Sequence, residues 1–132
     1  MPLSFLLIGI AWEELATVFG PEKAPEMEKM VRGAIAKDGK RFEDLGYKYE
    51  FMTYGTDEEM GRLEEKLKEG KYDGVCIGFG IRGTKDFTPL FERLVNTIHT
   101  ASPSSKLLFN TAPDGTLDAA RRQFPAIGEA AA

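Results

Sequence analysis

Four apolar runs recur along this chain, and each is followed by a stretch whose apolar residues return at helical spacing. That alternation constrains the fold more than any other feature, because repeated strand-then-helix units are the pattern of a parallel sheet with crossover helices. The first run, about Ser4–Ile10, is almost continuously apolar, as a central strand covered on both faces should be. The third, Gly74–Phe79, has the same character. The second, Tyr47–Thr53, alternates Tyr47, Tyr49, Phe51 and Thr53 with more polar neighbours, which fits an outer strand. The fourth spans about Lys106–Asn110.

The intervening segments read as helices. Trp12, Leu15, Ala16 and Phe19 suggest a short helical insert stopped by Gly20-Pro21. A longer helix begins near residues 24–26 with the stripe Met27, Met30, Val31, Ala34 and Ile35; Asp38-Gly39 is expected to interrupt it before Phe42 and Leu45 add a turn ending at Gly46. Thr56-Asp57-Glu58-Glu59 matches a capping box ahead of Met60, Leu63 and Leu67, with Gly70 closing the helix. Thr88-Pro89 suits a cap followed by proline at the first helical position, and Leu90, Phe91, Leu94, Val95 and Ile98 follow as a packing stripe. A last helix of about 116–124 should stop at Pro125, leaving residues 126–132 as a frayed tail.

Right-handed crossovers and short connections make a doubly wound, four-stranded parallel sheet of order 2-1-3-4 the expected topology. The length of 132 residues fits one domain, taken as residues 1–125, and 42% hydrophobic with 29% charged residues is a globular composition. Such folds usually carry a fifth strand–helix unit that this chain lacks. The helical layer is therefore short of a neighbour, which the Trp12–Phe19 insert, the last helix or a second subunit can supply; burial of the remaining apolar area predicts a homodimer.

Composition also limits partners. Formal net charge is −4, with 17 basic residues scattered rather than clustered, so neither nucleic acid nor an anionic membrane is an expected partner. The apolar opening lacks a basic leader and falls far short of a bilayer span. Cys76 is the single cysteine and His99 the single histidine, so no internal disulfide and no Cys/His zinc cluster can form, and the expected setting is cytoplasmic.

In a parallel sheet the ligand crevice lies beyond the carboxyl ends of the strands where neighbouring connections leave to opposite faces, here between the first and third strands. Three loops should converge there. The first carries Gly9 and Trp12; the second carries Gly78, Gly80, Arg82 and Gly83; the third carries Asn110 and Thr111. Glycines let backbone amides approach a ligand, and Arg82 offers a planar fork for carboxylate or phosphate, so an anionic small molecule is the candidate ligand. The plainer alternative is a tight turn with Arg82 in a surface ion pair. Asn110, Thr111 and Asp114 can orient a ligand or simply form a turn and cap. Trp12 and Phe79 can wall a planar ligand or complete a core.

Other reactive side chains read as structural. His99 shares a polar helix face with Glu92 and Asn96, away from the crevice. Cys76 lies between Val75 and Ile77 as a small core residue. Glu13-Glu14 can supply an acid or base, or be solvated near the positive end of the insert.

Tyr72 through Arg82, with Leu90-Phe91-Glu92 through Asn96 and His99 and then Phe109 through Pro113, resembles small single-domain α/β proteins of flavodoxin-like architecture. The resemblance implies a fold and carries no activity or cofactor. Departures from better-known doubly wound families exclude specific chemistries. Ala11-Trp12-Glu13-Glu14 stands where flavodoxins need a hydroxyl- and glycine-rich phosphate loop. Gly78-Phe79-Gly80 stands where receiver domains need a phospho-accepting aspartate. No His or Cys occupies the first connections, as cobalamin-binding and small phosphatase patterns require. Two functions remain, a small-molecule site at the crevice and a non-catalytic, self-associating or protein-interaction module.

Overall fold

The computed structural model describes residues 2–127. Strands β1 (Ser4–Ile10), β2 (Lys48–Tyr54), β3 (Gly74–Ile77) and β4 (Lys106–Phe109) form one sheet of order β2-β1-β3-β4. All three pairings are parallel, with Leu7 beside both Phe51 and Cys76, and Cys76 beside Leu108. The sheet is therefore the α/β arrangement that the alternation dictates.

Helices cover both faces. Residues Leu6, Ile8, Ile10, Val75 and Ile77 point to one side and pack against α3 (Gly61–Gly70) and α5 (Thr88–Ala101) through Leu63, Leu67, Leu90, Leu94 and Ile98. Phe5, Leu7, Cys76 and Leu108 point to the other side, where Phe42 of α2 (Ala24–Asp44) and Leu117, Ala119 and Ala120 of α6 (Thr116–Gln123) meet them. The insert after β1 is a 3₁₀ turn, Trp12–Glu14, continued by α1 (Leu15–Phe19). Gly20, at φ 85°, then turns the chain toward α2 in a backbone conformation that favours glycine. A turn at Pro125–Ile127 follows α6 and buries Ile127; residues 128–132, the rest of the tail expected to fray, lie outside the described residues.

Several local expectations yield to longer-range contacts. Helix α2 runs unbroken through Asp38-Gly39, because Asp38 is fully buried and its Oδ2 accepts the backbone N–H groups of Thr116 and Leu117 at 2.8 and 3.1 Å. The side chain that looked like a helix breaker is the N-terminal cap of α6, supplied from another element. Gly39 beside it leaves room for the Tyr49 ring, which a Cβ would approach to 3.1 Å.

The capping box is also replaced. Helix α3 begins at Gly61, and its third amide, Leu63 N–H, donates to the Tyr54 hydroxyl at 3.0 Å, while that hydroxyl donates to Glu59 O at 2.8 Å. Glu58 instead accepts from Gly55 N–H at 3.1 Å. A buried phenol from β2 thus does the work assigned to Thr56 and Glu59. Lys71 rather than Gly70 takes the left-handed position after α3. Strand β2 is displaced one residue, to Lys48–Tyr54, and Thr88 is the first residue of α5 rather than its cap.

The third strand stops at Ile77 instead of Phe79. Gly78 caps a single helical turn, α4 (Phe79–Arg82), so the expected glycine loop is partly helical. This shortens β3 and brings Phe79 and Gly80 to the rim of the sheet.

Candidate functional site

A cleft of about 320 Å³ lies beyond the carboxyl ends of β1 and β3, on the face shared by α2 and α6. Its origin is visible in side-chain alternation. On this face β1 presents Phe5, Leu7 and then Gly9, and β3 presents Cys76 and then Gly78, so the sheet loses its side chains at the top. Leu7 remains as the floor. Val31 and Ile35 of α2 form one wall, Phe79 and Gly80 of α4 another, and the segment Asn110–Pro113 a third. Trp12 and α1, through Leu15, Val18 and Phe19, close over the top.

Two aromatic rings bound this space because glycines accept them. A Cβ on Gly9 would meet the Phe51 ring at 3.0 Å, and one on Gly83 would overlap the Phe79 ring. Each ring is parked against a residue without a side chain. The Trp12 indole stands 5.8 Å from Phe51 between ring centres, and Arg32 lies over it at 4.2 Å. Glu14 anchors the same turn by accepting Thr56 N–H at 2.9 Å.

The structure brings together seven of the residues singled out from sequence: Gly9, Trp12, Gly78, Gly80, Gly83, Asn110 and Thr111 all line the cleft. Arg82 does not. Its guanidinium donates to Asn110 O at 3.0 Å and lies over the Phe79 and Phe109 rings, 5.1 and 5.7 Å from their centres. The planar fork is thus directed at backbone and aromatic faces rather than into the crevice.

Asn110 is 2% exposed and its carboxamide is already engaged. Oδ1 accepts Phe79 N–H at 2.9 Å and Nδ2 donates to Thr116 Oγ1 at 3.2 Å. Thr116 N–H in turn reaches Asp38, whose Oδ1 pairs with Arg41 at 2.9 Å. This chain of bonds ties α4, α6 and α2 together behind the cleft. Burial raises the Asp38 pKa above the ordinary carboxylate range, against the opposing pull of the Leu117 and Thr116 amides and Arg41.

Reactive groups stand outside the lining. Burial pushes the Cys76 thiol up to about 12, which keeps it protonated and poorly nucleophilic at neutral pH. His99 is exposed near the end of α5, on the far face of the sheet. The polar lining side chains are Trp12, Thr84, Asn110 and Thr111, with no acid and no base among them. Among the described residues no group of three or more His, Cys, Asp or Glu side chains is placed to hold a metal ion, and no helix is long and apolar enough to cross a membrane.

Val31, Ile35, Phe51 and Val18 also line the cleft, and the sequence marks them only as apolar. Val31 and Ile35 do fall on the expected stripe of α2, but a stripe does not reveal that its upper end faces a gap. Comparison with protein-family models, with curated proteins and with solved structures finds no match.

Proposed function

We propose that this protein binds a small molecule in the cleft beyond β1 and β3, with apolar burial supplying most of the affinity. The observation that carries the reading is the cleft itself: a concave, largely apolar space at the position where parallel sheets place their ligands, near the lower end of the usual 300–1,000 Å³ range. Binding rather than turnover is favoured because no acid, base or nucleophile lines it. An anionic ligand, the candidate from sequence, requires Arg82 to leave Asn110 O and so forfeits a charge-assisted bond. A cytosolic setting accords with the single buried thiol of Cys76.

Trp12 is the single tryptophan, so its emission reports on the site directly. Titration with the neutral probe N-phenyl-1-naphthylamine should quench Trp12 and brighten the probe with saturation at one equivalent. Gly80→Leu should abolish both signals, since Gly80 lines the cleft and a Cβ there meets only Ile10 at 3.9 Å, which leaves room for the longer side chain. Probe binding unaltered by Gly80→Leu would place the ligand elsewhere and overturn the reading.

The second reading is self-association as a homodimer. It is favoured by Phe19 and Phe79, which are 37% and 39% exposed at the mouth of the same cleft. Pairing through the sheet edges is opposed by Arg62, which donates to Thr53 O on β2, and Arg122, which donates to Phe109 O on β4. Sedimentation should therefore give a dimer that Phe19→Ser and Phe79→Ser dissociate; a wild-type monomer at high micromolar concentration excludes it.

A further inference from the structure

We infer that the ligand of this cleft is an uncharged molecule with a flat aromatic ring, and that Phe79, held by Gly83, is the residue that selects it. The inference rests on the small-molecule reading above and adds the ligand's chemical class.

Charge is excluded by the lining. A carboxylate or ammonium placed against Leu7, Val31, Ile35 and Phe51 loses its hydration and gains no ionic partner, a penalty that apolar contact does not return. The guanidinium groups of Arg82 and Arg32, chain neighbours of the lining residues Gly83 and Val31, are engaged outside the lining. Arg82 is bonded to Asn110 O, and Arg32 covers the indole of Trp12 while pairing with Glu28 at 2.9 Å.

Flatness follows from what bounds the space. Gly9 and Gly78 remove side chains from its floor, whereas Trp12, Phe51 and Phe79 stand around it. Aromatic walls favour a ring over a saturated body of equal area, because offset-stacked and edge-to-face contacts add to burial. The Thr84 and Thr111 side chains add two hydroxyls to the lining, either of which can meet one hydroxyl or carbonyl of a ligand.

Phe79 is the selective wall because its position is imposed. Phe51 is wedged between Gly9 and Trp12. Phe79 instead stands at the solvent edge, and its ring occupies the volume that a Cβ on Gly83 would take. Gly83 has φ −88°, so alanine suits its backbone and is opposed only by that ring. Gly83→Ala must therefore displace Phe79 while leaving the chain path intact, which makes Gly83 a positioning residue.

The test is calorimetric titration with three compounds of matched size: 2-naphthol, its saturated analogue decahydro-2-naphthol, and 2-naphthoate. Wild type should bind 2-naphthol about tenfold more tightly than decahydro-2-naphthol, the gain expected from two aromatic contacts, and should bind 2-naphthoate more weakly still. Phe79→Leu and Gly83→Ala should each reduce the aromatic preference to about threefold or less. The double variant should lose no more than Phe79→Leu alone, since the glycine acts only through the ring. Equal affinity for the aromatic and saturated compounds overturns the aromatic assignment, and tighter binding of 2-naphthoate overturns the neutral one; in both cases the cleft remains a small-molecule site. Additive losses in the double variant remove Gly83 from the selection. If decahydro-2-naphthol or 2-naphthoate binds in a Gly80→Leu-sensitive manner while 2-naphthol does not, the inference fails alone; if none of the three compounds and not N-phenyl-1-naphthylamine binds, the small-molecule reading falls with it.

Discussion

The two faces of the sheet are built from the same strands and differ in how completely they are covered. On the α3/α5 side β1 and β3 present Leu6, Ile8, Ile10, Val75 and Ile77, and Leu63, Leu67, Leu90, Leu94 and Ile98 close over them with exposures of 2% or less. On the α2/α6 side the last position of β1 is Gly9 and the residue just past β3 is Gly78, and both line the cleft. One face is a core from end to end. The other is a core at its lower half, where Phe5, Phe42 and Leu117 meet, and a cleft at its upper half. The upper half is bounded by Gly9, against which the Phe51 ring packs, and by Gly78, where the closed face carries Ile8, Ile10 and Ile77.

The sharpest way to break this comparison is to truncate one residue on each face. Leu94→Ala on the closed face should destabilise by about 2–5 kcal/mol, because the cavity left behind cannot collapse among fixed neighbours. Val31→Ala, at the cleft wall, should change stability by less than about 1 kcal/mol, since its side chain already borders open space. Urea denaturation of both variants gives the ratio, and equal losses would mean that the cleft wall packs as a core does.

Next in size is the network behind the cleft. Asp38→Ala removes the cap of α6 and strands two amides, and should cost about 2–3 kcal/mol. Its pH dependence has a defined sign. Asp38 has a raised folded pKa, so its contribution is fully present below the unfolded value of 3.8 and is lost as pH rises through the folded value. Relative to Asp38→Asn, wild type should thus lose stability on going from pH 3.5 upward into the neutral range. A stability difference between the two proteins that stays flat, or that moves in wild type's favour, contradicts the burial argument.

On the closed face, Tyr54→Phe tests whether a buried phenol replaces the local cap. Loss of the hydroxyl leaves Leu63 N–H and Glu59 O without their partner and should cost about 1–2 kcal/mol, whereas Thr56→Ala should cost less than about 0.5 kcal/mol. The reverse order of the two losses, measured by thermal unfolding, would restore the capping box. The smallest expected effect is that of Arg82→Ala. It should leave probe affinity within about twofold and stability within about 1 kcal/mol, because Arg82 is an exposed residue at the end of α4, outside the lining. A tenfold loss of affinity would return Arg82 to the site.

Much of this was legible from residue order. Strand β1 could be bounded from its unbroken apolar run, and the 2-1-3-4 order follows from short right-handed crossovers, which depend on chirality and connection length rather than on side-chain detail. The end of the sheet at which the cleft lies follows from topology for the same reason, and Gly9, Trp12, Gly78, Gly80, Gly83, Asn110 and Thr111 all line it. What was not legible depended on distant partners. Asp38 reads as a helix breaker until its acceptor role, 78 and 79 residues away, is seen. Arg82 reads as an anion ligand until Asn110 O, 28 residues on, is found to hold it.

Hydrophobic period, glycine placement and chain chirality act over a few residues or a single crossover, and they determined the parallel sheet and the end of it at which a cleft opens. Tertiary structure decided the cleft's chemistry. Burial and hydrogen-bond satisfaction assign each polar group to whichever partner folding brings within about 3 Å, and that partner is set by the whole chain. The one cation expected at the crevice donates to the carbonyl of Asn110, and the lining of the cleft is mostly apolar.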